Sequence, residues 1–157
     1  MTQISGQTTQ GYAAPTVTQY SVFLDNRVGK LHELIRAFEH SAVHVVAFSV
    51  HDASDHAVVR MVTSNANEAR LLLTRHQYPF SEVPVLVFEL DKTHTLERAC
   101  MYLVTAELNI RFAYPLMCNA SGRQAIAIAV DDLTLAGQIL MRKEFRLMGE
   151  EELARGG

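Results

Sequence analysis

The hydrophobic and polar positions along the chain follow two periods, one typical of strands and one typical of helices. Between residues 17 and 83 the pattern predicts strand, helix, strand, strand, helix and strand. The predicted bounds are Val17–Leu24, Val28–Ser41, Val43–Val50, Ala57–Thr63, Asn65–His76 and Phe80–Val83. The clearest signal lies in the first helix, where Leu31, Ile35 and Phe38 follow the spacing of an apolar helix face.

The same order of elements begins again after Pro84, so the chain contains an internal repeat. The predicted bounds in the second half are Val85–Leu90, Thr95–Glu107, Ile110–Met117, Gln124–Val130, Asp132–Met141 and Phe145–Leu147. An offset of 65 residues, from Gly29 to His94, aligns the first helices of the two halves. Two extra residues near 116–121 raise the offset to 67 in the later elements.

This order predicts an α+β fold made of two ferredoxin-like βαββαβ units in tandem. Each unit is an antiparallel sheet with its helices on one face, and we expect the units to join into an eight-stranded sheet that protects strand edges. We expect a flexible N-terminal tail at 1–17, a first unit at 18–83, a second unit at 84–149 and an exposed C-terminal tail at 150–157. Both faces of Gln124–Val130 are apolar, so its alanine face either packs on something, such as a second chain, or tolerates solvent.

Composition narrows the class of protein. The 157 residues are 48% hydrophobic and 20% charged, which is ordinary for a soluble globular protein. A net charge of −3 argues against a broad nucleic-acid surface, and no apolar run approaches the length of a membrane span. The first 17 residues have neither the basic start nor the apolar centre of a signal peptide, which favours a cytoplasmic protein with reduced cysteines.

The turn between the first strand and the first helix carries the most specific chemical signal. Gly29 stands where the chain passes from strand to helix, a position that often needs positive φ or close backbone approach. The first N–H groups of the helix have no intrahelical partner, and together with the helix dipole they favour an anion such as a carboxylate.

Two segments carry a resemblance to a known family. The segment Leu24–Leu31, with the strand that begins near His44 and Val45, resembles the ACT domain, and so does Asp91–Leu96 with Leu108–Arg111. The resemblance covers Thr18 to about Gly149 and implies a small tandem ACT protein with no enzyme domain attached. Members of this family are regulatory modules that usually bind amino acids where two units meet. Typically the strand-to-helix loop of one unit faces the second strand of its neighbour.

The two loops depart from the family pattern in different ways. The family loop commonly reads Asn-Arg-Pro-Gly, and Val28 replaces the proline, a mild change at a first helical position. In the second unit His94 replaces the glycine, and its side chain would crowd the approach of a ligand to the backbone. The second strands show the opposite asymmetry, because Asn109 resembles a ligand-contacting asparagine of the family and His44 does not.

The resemblance therefore implies one good site and one weakened site. The good site is expected to contain Asn26, Arg27, Val28, Gly29, Lys30, Leu31, Asn109 and Ile110. The ligand carboxylate would lie on the N–H groups around Val28–Lys30, and the amides of Asn26 and Asn109 would contact its charged groups. The weaker, pseudo-symmetric site is expected to contain Asp91, Lys92, Thr93, His94, His44 and Val45.

We therefore expect a non-catalytic sensor that binds an amino acid or similar small metabolite. It would be a homodimer that acts on a biosynthetic enzyme or regulator in trans, with no cofactor, metal, nucleic acid or membrane partner. The alternatives are a regulatory subunit like that of acetolactate synthase and a dimerisation scaffold with no ligand. A small enzyme is a third, disfavoured alternative, because Asp25 and His32 near the loop have no third residue to orient them.

Overall fold

A computed structural model describes residues 13–156 of the chain, so most of the predicted N-terminal tail lies outside the described residues. The elements of the first half are β1 (Val17–Asp25), α1 (Lys30–Glu39), β2 (Val45–Ala53), β3 (His56–Thr63), α2 (Ala66–Arg75) and β4 (Phe80–Leu90). Those of the second half are α3 (Leu96–Thr105), β5 (Ile110–Pro115), β6 (Gln124–Val130), α4 (Leu133–Arg142), β7 (Leu147–Met148) and α5 (Glu150–Gly156). The predicted α+β class and the tandem βαββαβ order are confirmed.

The sheet has seven strands where eight were expected, because β4 belongs to both units. The first half of β4 pairs with β1, from Phe80 to Val85, and its second half pairs with β6 from Leu86 onward. Pro84 was expected to separate two strands, but it lies within this continuous strand at a point where only the β1 edge is paired. A strand tolerates a proline where one of its edges is free of a ladder.

Each unit has an apolar core between its helices and its half of the sheet. In the first unit α1 and α2 bury Leu34, Phe38 and Leu73 against the side chains of Tyr20 and Val22 on β1. The second unit repeats this arrangement with a different set of side chains: Leu86, Phe88, Ala99, Leu103, Ile128 and Leu140. The apolar stripes that predicted the helices are therefore their buried faces.

The helix-free faces of the two units pack against each other and form a third core. The alanine face of β6 lies in this core together with Val46 and Val62 of the first unit, so the alanines are covered by the chain's own first half. Here Tyr114 donates a hydrogen bond of 2.5 Å to the buried Gln19 side chain. The N–H of Met117 donates to the carbonyl of Val46 at 2.8 Å, which ties the two ends of the curled sheet.

The described residues at both ends of the chain pack onto the fold. The C-terminal segment was expected to be an exposed tail, but it forms α5, which buries Leu153 to 2% exposure between the units. Glu150 accepts a hydrogen bond of 2.6 Å from the Thr18 N–H and so holds α5 to β1. At the other end Ala14 lies so close to α4 that a Cβ placed on Gly137 would clash with the Cβ of Ala14.

Local backbone features confirm the internal repeat. Asn65 caps α2 and Asp132 caps α4 at the predicted offset of 67, each accepting from the N–H three residues later. Gln77 and Glu144, again 67 apart, both end their helices with positive φ, at 61° and 65°. The first helices of the two units begin differently. The offset of 65 pairs Gly29, the N-cap of α1, with His94, but the N-cap of α3 is the next residue, Thr95.

Candidate functional site

The first strand-to-helix loop, residues 25–30, is open. Gly29 is the N-cap of α1 with φ 93°, a left-handed conformation that favours glycine, and no side chain caps the helix. The loop is shaped by its own backbone: the Arg27 N–H donates to the Asp25 carbonyl at 2.8 Å, and the Glu33 N–H to the Gly29 carbonyl at 3.0 Å. The N–H groups of the first turn of α1 are therefore presented at this loop without a side-chain acceptor.

Solvent surrounds the side chains of this loop. Asn26, Arg27 and Val28 are exposed, and a Cβ placed on Gly29 would meet no atom within 4 Å. The Arg27 guanidinium lies 3.4 Å from the Asp25 carboxylate, but both side chains are exposed, so this pair adds little stability. The loop thus has room for a ligand on its outer side.

The second strand-to-helix loop, residues 91–95, is closed by its own carboxylate. One oxygen of Asp91 accepts hydrogen bonds from the N–H groups of Thr93 and His94, at 2.8 and 2.6 Å. The ring of His94 lies 3.0 Å from the same oxygen and packs edge-on against Phe145, with 5.0 Å between ring centroids. Thr95 completes the turn by accepting from the Arg98 N–H at 3.2 Å.

These contacts also change the ionisation of the loop. The hydrogen bond from the His94 N–H lowers the pKa of Asp91, outweighing the opposing effect of desolvation, and the His94 ring and the Thr93 N–H lower it further. Arg123 lies 3.7 Å from the other oxygen of Asp91. The loop therefore holds a stable carboxylate on its backbone N–H groups.

The predicted partners of the loops lie at the starts of β5 and β2. The Asn109 N–H donates to the Asp131 carboxylate at 3.1 Å, and the His44 N–H donates to the Ser64 hydroxyl at 2.9 Å. Ile110 pairs with Val130 at the edge of the sheet. Among residues 13–156 no hydrogen bond joins residues 26–31 to Asn109 or Ile110, so that pairing stays a prediction.

His44 and Val45 line a cavity of about 380 Å³ that lies between the two units. Its lining combines apolar side chains such as Phe38 and Phe48 with the polar Glu39 of the first unit, and Met117 and Cys118 of the second unit complete it. Residues 91–94, the other half of the predicted weaker site, are not among the residues that line it.

Sequence reasoning missed the role of Asp91. The sequence did contain a signal for this role, because an aspartate often accepts hydrogen bonds from the N–H groups two and three residues after it in an Asx turn. Asp91 accepts from Thr93 and His94 in this way. By the offset of 65 its counterpart in the first unit is Asn26, whose amide carries no charge. The interpretation of His94 as a missing glycine overlooked this carboxylate.

Within residues 13–156 we find no group of three or more histidine, cysteine and acidic side chains that could hold a metal ion. The same part of the chain contains no helix with the length and apolar character needed to cross a bilayer.

Comparison with known proteins gives consistent results. A family model described as the ACT domain pair matches residues 15–155. Protein BT0572 from Bacteroides thetaiotaomicron superposes with a TM-score of 0.78 at 17% identity, covering 90% of this chain and 98% of that one. The ligand-free regulatory subunit of aspartate kinase from Thermus thermophilus superposes with a TM-score of 0.53 at 8% identity, covering 82% and 93% of the two chains. At these identities the likeness to solved structures shows the fold, and no curated protein sequence matches the chain.

Proposed function

The chain belongs to the ACT domain pair family, and from this premise we propose that it is a non-catalytic regulatory protein that binds an amino acid or similar small metabolite. The proposed site is residues 26–31, which include most of the open loop and the first two residues of α1. Binding would shift the packing or assembly of the units, a coupling on the order of 1–3 kcal/mol in ordinary allostery.

The contrast between the two loops is the observation that carries this proposal. In the second unit a carboxylate accepts from the N–H groups of Thr93 and His94. The offset of 65 places Val28 and Gly29 at these positions in the first unit, where the N-cap lacks a side-chain acceptor. A strand-to-helix loop whose N-cap provides no side-chain acceptor, and whose one carboxylate, on Asp25, pairs with Arg27 instead, is suited to bind a ligand's carboxylate.

We assign the ligand's groups to the residues as follows. The N–H groups around Val28–Lys30 hold the carboxylate, with Val28 and Gly29 as the main donors because the Lys30 N–H also donates to the Arg27 carbonyl at 3.3 Å. The helix N-terminus stabilises the carboxylate by about 0.3–1 kcal/mol. The amide of Asn26 accepts from the ammonium group or donates to the carboxylate. Leu31, half-buried at the start of α1, borders the ligand's side chain.

We further propose that a second copy of the chain completes the site. The outer side of the loop is open in the single chain, because a Cβ on Gly29 would meet nothing within 4 Å. Asn109 is exposed and Ile110 half-buried at the start of an edge strand, so a second protomer can bring them to the loop. The loop around Asp91 is the weaker site, since a ligand carboxylate would have to displace the protein's own.

A thermal-shift panel of the common amino acids tests this function. A ligand at about 100 times its Kd adds roughly 2.7 kcal/mol to the free energy of unfolding, which raises Tm by several degrees in a chain of this size. Sedimentation with and without the active compound measures the homodimer. If no amino acid shifts Tm, the ligand-binding function is wrong and the dimerisation scaffold is the better interpretation.

Two nearly isosteric substitutions test the location of the site. Asn26→Asp places a carboxylate where Asp91 stands in the second unit, so it should occupy the N–H groups of the loop and abolish the ligand-induced shift. Asp91→Asn is the matched control and should leave that shift intact. If Asn26→Asp leaves the shift unchanged while Asp91→Asn enlarges it, the ligand binds at the second loop and the assignment is wrong.

A regulatory subunit of a biosynthetic enzyme is the second candidate function. The aspartate kinase regulatory subunit shares this fold, and the half-exposed Phe48 and Val50 on the edge strand β2 offer an apolar contact for a partner. Affinity purification from the native host separates the candidates. A stoichiometric enzyme that co-purifies with the chain and releases it when the amino acid is added would favour the subunit.

A further inference from the structure

A groove between the C-terminal ends of α1 and α2 carries a cluster of basic side chains. The groove has a volume of about 530 Å³ and is bordered by Arg36 and His40 of the first helix and by Arg75 and His76 of the second. Both histidines are C-cap residues, and both arginines lie in the last turns of their helices. The four side chains therefore approach one space from two sides.

These basic groups have no acidic partner within residues 13–156. No ion pair forms to Arg36, Arg75, His40 or His76, whereas Glu33, the one acidic residue at the groove, lies 3.4 Å from Lys30. The chain as a whole carries a net charge of −3, so this is a local reversal of charge. The negative ends of two helix dipoles meet at this groove and favour basic residues there, so an anion bound in the groove depends on all four basic side chains to outweigh these dipoles.

The corresponding place in the second unit shows that the repeat does not require this cluster. The last turn of α3 has no basic residue, and its C-cap is Ala106. Arg142 and Lys143 remain at the end of α4, but the ammonium of Lys143 lies over the ring of Tyr102, 4.9 Å from its centroid. The basic cluster is therefore a property of the first unit alone.

We propose that this groove binds an organic phosphate of nucleotide size, at a site separate from the loop of residues 26–31. The guanidinium groups of Arg36 and Arg75 provide the planar donor pairs that suit phosphate oxygens, and His40 and His76 add ring N–H donors. Leu72 and Tyr78 form a partly apolar wall that suits a base or another ring. The phenol of Tyr78 can donate a hydrogen bond at neutral pH as any tyrosine can, and burial, helped by the charge of Glu33, raises its pKa further.

Isothermal titration at fixed ionic strength tests the proposal with metal-free ATP, pyrophosphate and adenosine as probes. ATP and pyrophosphate should bind, with ATP tighter, and adenosine should not. The double variant Arg36→Ala/Arg75→Ala should weaken ATP binding at least about tenfold, since it removes two charge-assisted contacts. Raising the salt concentration should weaken binding as well.

The matched control is Arg142→Ala/Lys143→Ala, which removes two charges from the equivalent end of the second unit. It should change the ATP affinity less than about twofold. Both variants are checked by their thermal melts before titration. Equal loss in the two variants, or no saturable ATP binding at millimolar concentration, would overturn the proposal. Tighter binding of a poly-glutamate peptide than of ATP would also overturn it, because the partner would then be an acidic protein segment.

Discussion

The two strand-to-helix loops occupy equivalent places in their units and differ in one functional group. The loop at Asp91 carries a carboxylate on its own N–H groups, and the loop at Asn26 carries a neutral amide at the same offset. The first loop needs a glycine with φ 93° as its cap, whereas the second uses the side chain of Thr95. After duplication, one loop binds its N–H groups with its own carboxylate and the other loop remains open.

The strands that lead into these loops differ in the same direction. Glu89, near the end of β4, is buried, while its counterpart in β1 at the offset of 65 is the apolar Leu24. The Glu89 carboxylate accepts from Arg146 at 2.7 Å, from Asn119 at 2.7 Å and from the Ser121 hydroxyl. The loop end of the second unit is therefore held together by charge and hydrogen bonds around Glu89, whereas Leu24 at the equivalent position of the first unit packs in an apolar core.

Among the variants that test this difference between the units, removal of Arg146 should lower the free energy of unfolding most. Arg146→Met leaves the Glu89 carboxylate buried with one charged donor fewer, and a hydrogen bond to a charged group contributes about 1.5–3 kcal/mol. Urea denaturation should show a loss of that size in the free energy of unfolding. Arg123→Met, at an exposed arginine 3.7 Å from Asp91, is the control and should cost less than about 0.5 kcal/mol. Equal losses in the two variants would mean that Glu89 does not depend on Arg146.

The helix caps should give equal effects in the two units. Asn65→Ala and Asp132→Ala each remove the side chain that accepts from the third N–H of its helix, which typically costs about 1 kcal/mol. The same denaturation measurement compares them directly. A difference of more than about 1 kcal/mol between the two variants would show that the units are not equivalent where the structure makes them so.

The network around Glu89 should make stability depend on acid. Burial alone raises the pKa of Glu89, but the hydrogen bonds from Ser121, Arg146 and Asn119 outweigh it and hold the pKa below its usual value. A lowered folded pKa contributes stability above the unfolded value of about 4.3, and that contribution is lost as the pH falls through the folded value. As the pH falls from 6, the free energy of unfolding should therefore decrease less in Glu89→Gln than in the wild type. An identical loss in both proteins would assign the acid sensitivity to other carboxylates.

The smallest expected effect is that of opening the second loop. Asp91→Asn removes the charge that the N–H groups of Thr93 and His94 bind, so their amide hydrogens should exchange faster while the global stability changes little. Asp25→Asn is the control in the first loop, where only an exposed pair with Arg27 is lost. Hydrogen exchange followed by NMR measures both. Unchanged exchange at Thr93 and His94 would contradict the closed loop.

Much of the fold could be predicted because its signals are local. The apolar stripe of Leu31, Ile35 and Phe38 predicted α1, and the side chain of Asn65 predicted the start of α2. The second loop was harder, since its decisive contact is a carboxylate turned back onto its own backbone. An aspartate at a strand end is compatible with a solvated turn as well as with such a closed loop.

By itself the sequence determined most of the elements and the caps of α2 and α4, because each depends on residues within about one turn or one hairpin of each other. It also showed the duplication, since the order of elements repeats along the chain. Only the tertiary structure decided that one strand serves both units, that the alanine face of β6 is covered by the first half of the chain, and that the last residues form a buried helix. These outcomes depend on contacts between residues far apart in sequence, such as Thr18 with Glu150. An apolar face shows that it must be buried, but not which surface of the molecule will bury it.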